Sequence, residues 1–116
     1  MPRTDVTQMS FPKLYPLLIN KAVKKGRTRE DVDQVTTWLT GYSAEDIARL
    51  DQSDTSYGDF FRNAPAMNPN RTLITGKVCG IQVEAIEDPL MREIRYLDKL
   101  VDELAKGKPM AQILRA

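Results

Sequence analysis

Few side chains in this chain are equipped for chemistry, and their spacing narrows the options. There is no histidine, which removes the commonest general base and the commonest metal ligand at neutral pH. Ser-His-Asp, Cys-His and histidine-based metal sites are therefore excluded within one copy. A reaction here would have to use carboxylates, lysine, tyrosine or the single cysteine, Cys79. Lys77 stands two residues before Cys79. On a strand the two would share a face, and a reactive thiolate needs such a neighbouring cation. The plainer reading of Cys79 is a small apolar residue inside a hairpin. Gly76-Lys77 evokes a phosphate loop, but the Gly-x4-Gly-Lys-Ser/Thr spacing is missing and a strand rather than a helix follows. Glu84, Glu87 and Asp88 form a carboxylate cluster. Its spacing matches no calcium loop, and it reads as acids at the positive end of the helix that follows. Arg95 and Tyr96 are adjacent on that helix. With Arg71, Lys77 and Cys79 they make up the candidate anion- or ligand-binding set. No catalytic residue, metal ligand or cofactor is assigned.

Net charge is +1, unevenly spread. Residues 1–29 carry seven basic side chains against Asp5, residues 30–60 carry eight acidic ones against Arg49, and residues 61–116 carry nine basic against seven acidic. Lys21, Lys24, Lys25, Arg27 and Arg29 are the candidate basic patch for an anion or nucleic acid. Pairing between neighbouring helices of opposite sign is the plainer account of the same distribution. Residues 28–50 read as helix, turn, helix, a geometry used by DNA readers. The second of those helices, over residues 44–51, is net acidic and would repel phosphate. Nucleic acid is therefore not the expected partner. No apolar run approaches the ~20 residues needed to cross a membrane. The N-terminus lacks a charged-then-apolar signal pattern, and Cys79 has no intrachain partner to oxidise. A cytoplasmic location is expected.

The elements that must position these residues are mostly helical. Leu90, Ile94, Leu97, Val101 and Leu104 recur at steps of four, three, four and three, one apolar stripe on a helix over residues 89–105. Pro89 suits its first position and Gly107 closes it. Met91 and Leu100 widen the stripe, leaving room for a second copy to cover part of it. Residues 1–9 read as a loose lead-in to a single globular domain over residues 10–116. Ser10 is a good N-cap for a first helix that turns Phe11, Leu14, Leu17, Leu18 and Val23 inward. Pro16 predicts a kink or a late start there. Thr28 with Asp31, and Ser43 with Asp46, are variant capping boxes that start two further helices. Val32, Val35, Trp38 and Leu39 face inward on the first of these, Ile47 and Leu50 on the second. Residues 57–63 suit one more short helix, and Met110, Ile113 and Leu114 a last one. Trp38, Tyr42, Tyr57, Phe60 and Phe61 are either core or the lining of a pocket. Residues 72–86 are rich in β-branched side chains and interrupted by Gly76 and Gly80. They read as a β-hairpin with Ile81, Val83 and Ala85 inward. The fold class is α+β: a mainly helical single domain with one small hairpin (about residues 72–86) before a long C-terminal helix (about 89–105).

Trp38-Leu39-Thr40-Gly41-Tyr42, Asn68-Pro69, Cys79-Gly80, Glu84 through Met91 and Ile94 through Gly107 together resemble the bacterial domain-of-unknown-function family 2200. The likeness runs from about Met9 to Arg115. It implies a small, stand-alone, soluble bacterial protein and carries over no catalytic residue.

The first functional reading is a small non-enzymatic interaction module, a homo-oligomer or bound to a protein partner. One alternative is a small-ligand or anion-binding protein or enzyme using Arg71, Lys77, Cys79 and Arg95. The other is weak nucleic-acid binding through Lys21, Lys24, Lys25, Arg27 and Arg29. Convergence of the ligand set would favour the second reading, and scattered, solvated charges the first.

Overall fold

The computed structural model describes residues 6–78 and 80–114. In chain order the elements are α1 (Phe11–Val23), α2 (Arg29–Thr40), α3 (Ala44–Leu50), α4 (Tyr57–Arg62), β1 (Lys77–Val78), β2 (Ile81–Gln82), α5 (Pro89–Ala105) and α6 (Met110–Ile113). Short 3-10 turns occupy Val6–Gln8, Pro69–Leu73 and Val83–Ala85. Among the described residues no helix is long and apolar enough to cross a membrane.

Helix α5 is the axis of the fold. The Asp88 side chain accepts from the Leu90 N–H at 3.0 Å, capping a helix that opens on Pro89. Ile94, Leu97, Leu100, Val101 and Leu104 are buried, while Leu90 and Met91 are half-buried. Helices α1 and α2 lie along it, and α4 and β1 complete the cover. Each fully buried aliphatic side chain contributes about 1.5–3 kcal/mol. The stripe is covered from Ile94 to Leu104, while its first turn, Leu90 and Met91, stays half-buried.

Both capping boxes form. Thr28 Oγ1 accepts from Asp31 N at 3.1 Å while the Asp31 carboxylate accepts from Thr28 N, and Ser43 with Asp46 repeats the arrangement. Helix α1 runs without a break from Phe11 through Pro16 to Val23, correcting the expected late start. The local cost is that the Pro12 carbonyl has no helical donor at position 16. The inward face of α1 also differs from expectation. Phe11, Tyr15 and Ala22 are buried, Leu14 and Leu18 half-buried, whereas Leu17 is 60% and Val23 50% exposed. Tyr15 sets this rotation. Its hydroxyl donates to Asp33 at 2.6 Å and lies 3.0 Å from Thr36 Oγ1. With Tyr15 turned toward α2, Leu17 points out.

Of the lead-in expected over residues 1–9, residues 1–5 lie outside the described residues, and residues 6–9 meet the body. Tyr57 N donates to the Met9 carbonyl and Phe11 N to the Thr55 carbonyl, tying the starts of α1 and α4 together. The turn at Val6–Gln8 packs on α4, where a Cβ at Gly58 would stand 2.9 Å from the Thr7 carbonyl. The aromatic residues are core. Phe60 stacks on Phe11 at 4.2 Å and on Tyr42 at 4.7 Å, and Phe61 meets Tyr57 edge-on at 5.2 Å. Trp38 is half-buried at the edge of this cluster.

The hairpin is real but shorter than the run of β-branched residues. It pairs only Lys77 with Gln82 and Val78 with Ile81. Of Ile81, Val83 and Ala85, only Val83 is buried. Val83 N donates to the Gly76 carbonyl at 2.9 Å, in register with the two pairs, and the ladder ends there: Gly76 N is taken by the Glu84 carboxylate at 3.0 Å as the chain enters the Val83–Ala85 turn.

Candidate functional site

The described members of the candidate ligand set lie in three places. Arg71, from the turn Pro69–Leu73, and Tyr96, from α5, share a recess of about 90 Å³ with Arg92 and Glu93. Its charges are engaged within the protein. Arg71 donates to the Asn68 carbonyl at 2.8 Å and faces Glu93 at 4.0 Å. Arg92 donates through Nε to the Ile86 carbonyl at 2.8 Å. Burial pushes the Glu93 carboxyl up, and Arg71 pulls it back in part. Arg95 is one residue from Tyr96, which on a helix turns it about 100° away, and it lies in a different cavity. Lys77 is exposed on the hairpin, where its carbonyl accepts from Lys99 Nζ at 3.1 Å. Cys79 lies outside the described residues.

The basic segment is divided among structural contacts. Lys21 pairs with Asp102 at 3.4 Å. Arg27 donates to the carbonyls of Leu104 and Lys108, closing the C-terminal end of α5 where a cation is favoured by the helix dipole. Arg29 reaches Asp51 at 3.4 Å and Asp33 at 3.8 Å. Lys24 and Lys25 stay exposed. Burial lifts the Asp102 carboxyl, but Lys106 at 3.0 Å and Lys21 outweigh it and hold the group below the usual carboxylate range. In the carboxylate cluster, Glu84 accepts from Gln82 and from Gly76 N, and these bonds keep it charged.

The geometry offers two other sites. A half-open cavity of about 140 Å³ lies between α1, α4 and α5. Leu14, Leu17, Leu18 and Ile94 form its apolar walls, and Tyr57, Arg95 and Asp98 its polar end. Arg95 donates from one terminal nitrogen to Asp98 at 3.1 Å, while its Nε is buried with no hydrogen-bond partner in the protein. Burial raises the Asp98 carboxyl, with Arg95 opposing, and burial next to Asp98 holds the Tyr57 hydroxyl well above its ordinary range. The second site is a groove of about 500 Å³ between α2 and α3, lined by Glu30, Asp33, Gln34, Thr37, Ser43 and Ala44. Sequence reasoning named Arg95 as a ligand residue and Tyr57 as core or pocket lining, but missed Leu14 and Asp98 as cavity residues. The available signal was that α1 carries two apolar arcs, Phe11/Tyr15/Ala22 and Leu14/Leu17/Leu18, more than one face can bury.

Residues 5–115 match the family described as "Uncharacterized protein conserved in bacteria (DUF2200)". The chain belongs to this family. A crystal structure of uncharacterized protein SP1917 is 51% identical, with a TM-score of 0.92 over 97% of this chain and 93% of that one. No curated protein matches the chain. The family resemblance in the runs from Trp38 and from Glu84 is thus shown, and the bacterial character of DUF2200 with it. The family description names no reaction, so function has to be argued from the surfaces themselves.

Proposed function

We propose that this DUF2200 chain is a small non-enzymatic interaction module that associates with a second copy of itself. The observation that carries the reading is Leu17, 60% exposed on α1 between the exposed lysines Lys13 and Lys24. Steps of four and seven put these three on one stripe. The groove between α2 and α3 has the opposite character, with exposed Glu30 at its rim and half-buried Asp33 inside. In a two-fold dimer the basic stripe of each copy meets the acidic groove of the other, so one contact is used twice. Rim ion pairs add about 0–1 kcal/mol each, and burying Leu17 adds about 1.5–3 kcal/mol. Association is therefore weak and salt-sensitive. The scatter of Arg71, Lys77 and Arg95 over three places supports this reading over an anion-binding enzyme. The use of Lys21, Arg27 and Arg29 in internal contacts supports it over a nucleic-acid binder. A reducing cytoplasm suits a chain whose single cysteine has no intrachain partner.

Sedimentation equilibrium from low micromolar to submillimolar concentration tests the proposal. Lys24→Glu and Glu30→Lys should each weaken association, and the two together in one chain should restore it. A single 13.2 kDa species over the whole range would sink the reading.

A further inference from the structure

We propose that the cavity between α1, α4 and α5 binds a small neutral carboxamide, its carbonyl oxygen taken by Arg95, its NH2 by Asp98 and its short aliphatic chain by Leu14, Leu17, Leu18 and Ile94. This goes beyond self-association and does not depend on it.

The size comes first. A cavity of about 140 Å³ compares with the ~150 Å³ apolar cavity that takes up benzene. A chain of four or five carbons with one polar head fits. The walls come second. Four aliphatic side chains line the cavity, and Leu17 at its rim remains 60% exposed. An occupant that covers Leu17 removes apolar surface from water.

The polar end selects the head group. It holds one guanidinium and one carboxylate, 3.1 Å apart, with side chains 23% and 19% exposed. A carboxylate ligand would be drawn to Arg95 but placed against Asp98. An ammonium ligand would meet the reverse conflict. A hydrocarbon would strip water from both groups and return no hydrogen bond. A carboxamide supplies an acceptor and a donor on adjacent atoms and adds no charge, which matches the pair. The state of Arg95 supports this choice. Of its five N–H groups, the one on Nε is buried and bonded to no protein group, an arrangement that is rare and costly. Nε is also closed to a water-sized atom, so the guanidinium must turn to present it to the ligand. Its bond to Asp98 runs through one terminal nitrogen.

The test uses pentanamide, pentanoate and pentylammonium, three probes of nearly equal shape, added to the full chain near neutral pH. Methyl and arginine Nε–H resonances are followed by NMR. Pentanamide should shift the methyls of Leu14, Leu17, Leu18 and Ile94 and the Nε–H of Arg95, with a Kd on the order of millimolar. Both charged probes should bind at least tenfold more weakly. In Asp98→Asn, which removes the repulsion while keeping size, pentanoate should gain on pentanamide by tenfold or more. Equal binding of the three probes to the unaltered chain would show a merely greasy notch and overturn the assignment. Absence of shifts confined to the cavity at tens of millimolar pentanamide would overturn it as well. Leu17 belongs to both surfaces, so the titration is run at the lowest chain concentration NMR allows, where the weak dimer dissociates; failure here is read from the probes and failure of self-association from sedimentation, and the two are distinguished.

Discussion

The helices α1, α2, α4 and α5 and the segment of residues 64–88 that joins α4 to α5 obey different rules. In the helices, apolar residues at helical spacing face one another, and Leu39, Phe60, Leu97 and Leu104 are fully buried. In the segment, Ile74, Val78 and Val83 reach the core singly, while Leu73 and Ile81 stay largely exposed. Two short 3-10 turns and two residue pairs of ladder hold it. The comparison teaches that β-branched composition alone does not make a sheet. A two-stranded hairpin is marginal without a further strand or a packed face, and here the ladder ends at the Val83–Gly76 bond, where the Glu84 carboxylate takes Gly76 N and the Val83–Ala85 turn begins. The helices are cooperative because their faces are shared; the segment is held point by point.

The sharpest way to break this contrast is Leu97→Ala. Leu97 is fully buried on α5, so the change should cost about 2–5 kcal/mol, read as a lowered urea midpoint. A loss below 1 kcal/mol would mean that α5 is not the axis of the core.

Gly41→Ala probes the joint between the two regions. Gly41 ends α2 at φ +83°, and a Cβ there would stand 2.8–3.0 Å from atoms of Ala66 in the segment. Strain at positive φ and displacement of Ala66 act together, and we expect a loss of about 1–3 kcal/mol. If hydrogen exchange rises in residues 64–68 and not in α2, the segment yields before the helix. The reverse pattern would blur the distinction drawn here.

Within α5, Asp98 and Asp102 form a smaller contrast that pH reads. Burial raises the folded-state pKa of Asp98, whereas Lys106 and Lys21 carry Asp102 the other way. Between its unfolded and its raised folded pKa, Asp98 binds more protons in the folded state. Its contribution to stability therefore falls as pH rises through that window. Asp98→Asn should remove this falling component, so urea midpoints from pH 3.5 to 7 should move in favour of the variant as pH increases. A constant offset across the range would refute the buried setting of Asp98.

The smallest effect is expected in the hairpin. Ile81→Ser removes a side chain 40% exposed and should change stability by no more than about 0.5 kcal/mol. A loss above 1 kcal/mol would place Ile81 in a packed face and make the segment more like the helices.

Most of the helical body was legible because its signals are local. The Thr28/Asp31 and Ser43/Asp46 boxes, Pro89 at a helix start and the stripe from Leu90 to Leu104 each depend on residues within a few positions. The rotation of α1 was not legible. It follows from Tyr15 meeting Asp33 and Thr36, about twenty residues away. The candidate site was mostly hidden for the same reason. Leu17, Tyr57 and Asp98 come from three helices distant in sequence; Arg95 had been singled out as a ligand residue and Tyr57 as core or pocket lining, but nothing local joined them. The charge asymmetry between the first and second thirds was visible, and Arg29 pairs with Asp51 and Asp33 of the acidic third as it suggests; that Lys21 and Arg27 find partners on or just after α5 was not.

The bond from Arg27 to the Leu104 carbonyl spans 77 residues, and it bears on how this protein is made. At about 5–20 residues per second, a ribosome needs roughly 4–15 s to deliver Leu104 after Arg27. The apolar arcs of α1 and α2 are thus translated long before the helix that covers them. A nascent chain stalled before Pro89 would hold Phe11, Val35 and Leu39 without the cover of α5, a natural substrate for a holding chaperone. Packing of α1 and α2 on α5 waits until α5 has left the ribosome.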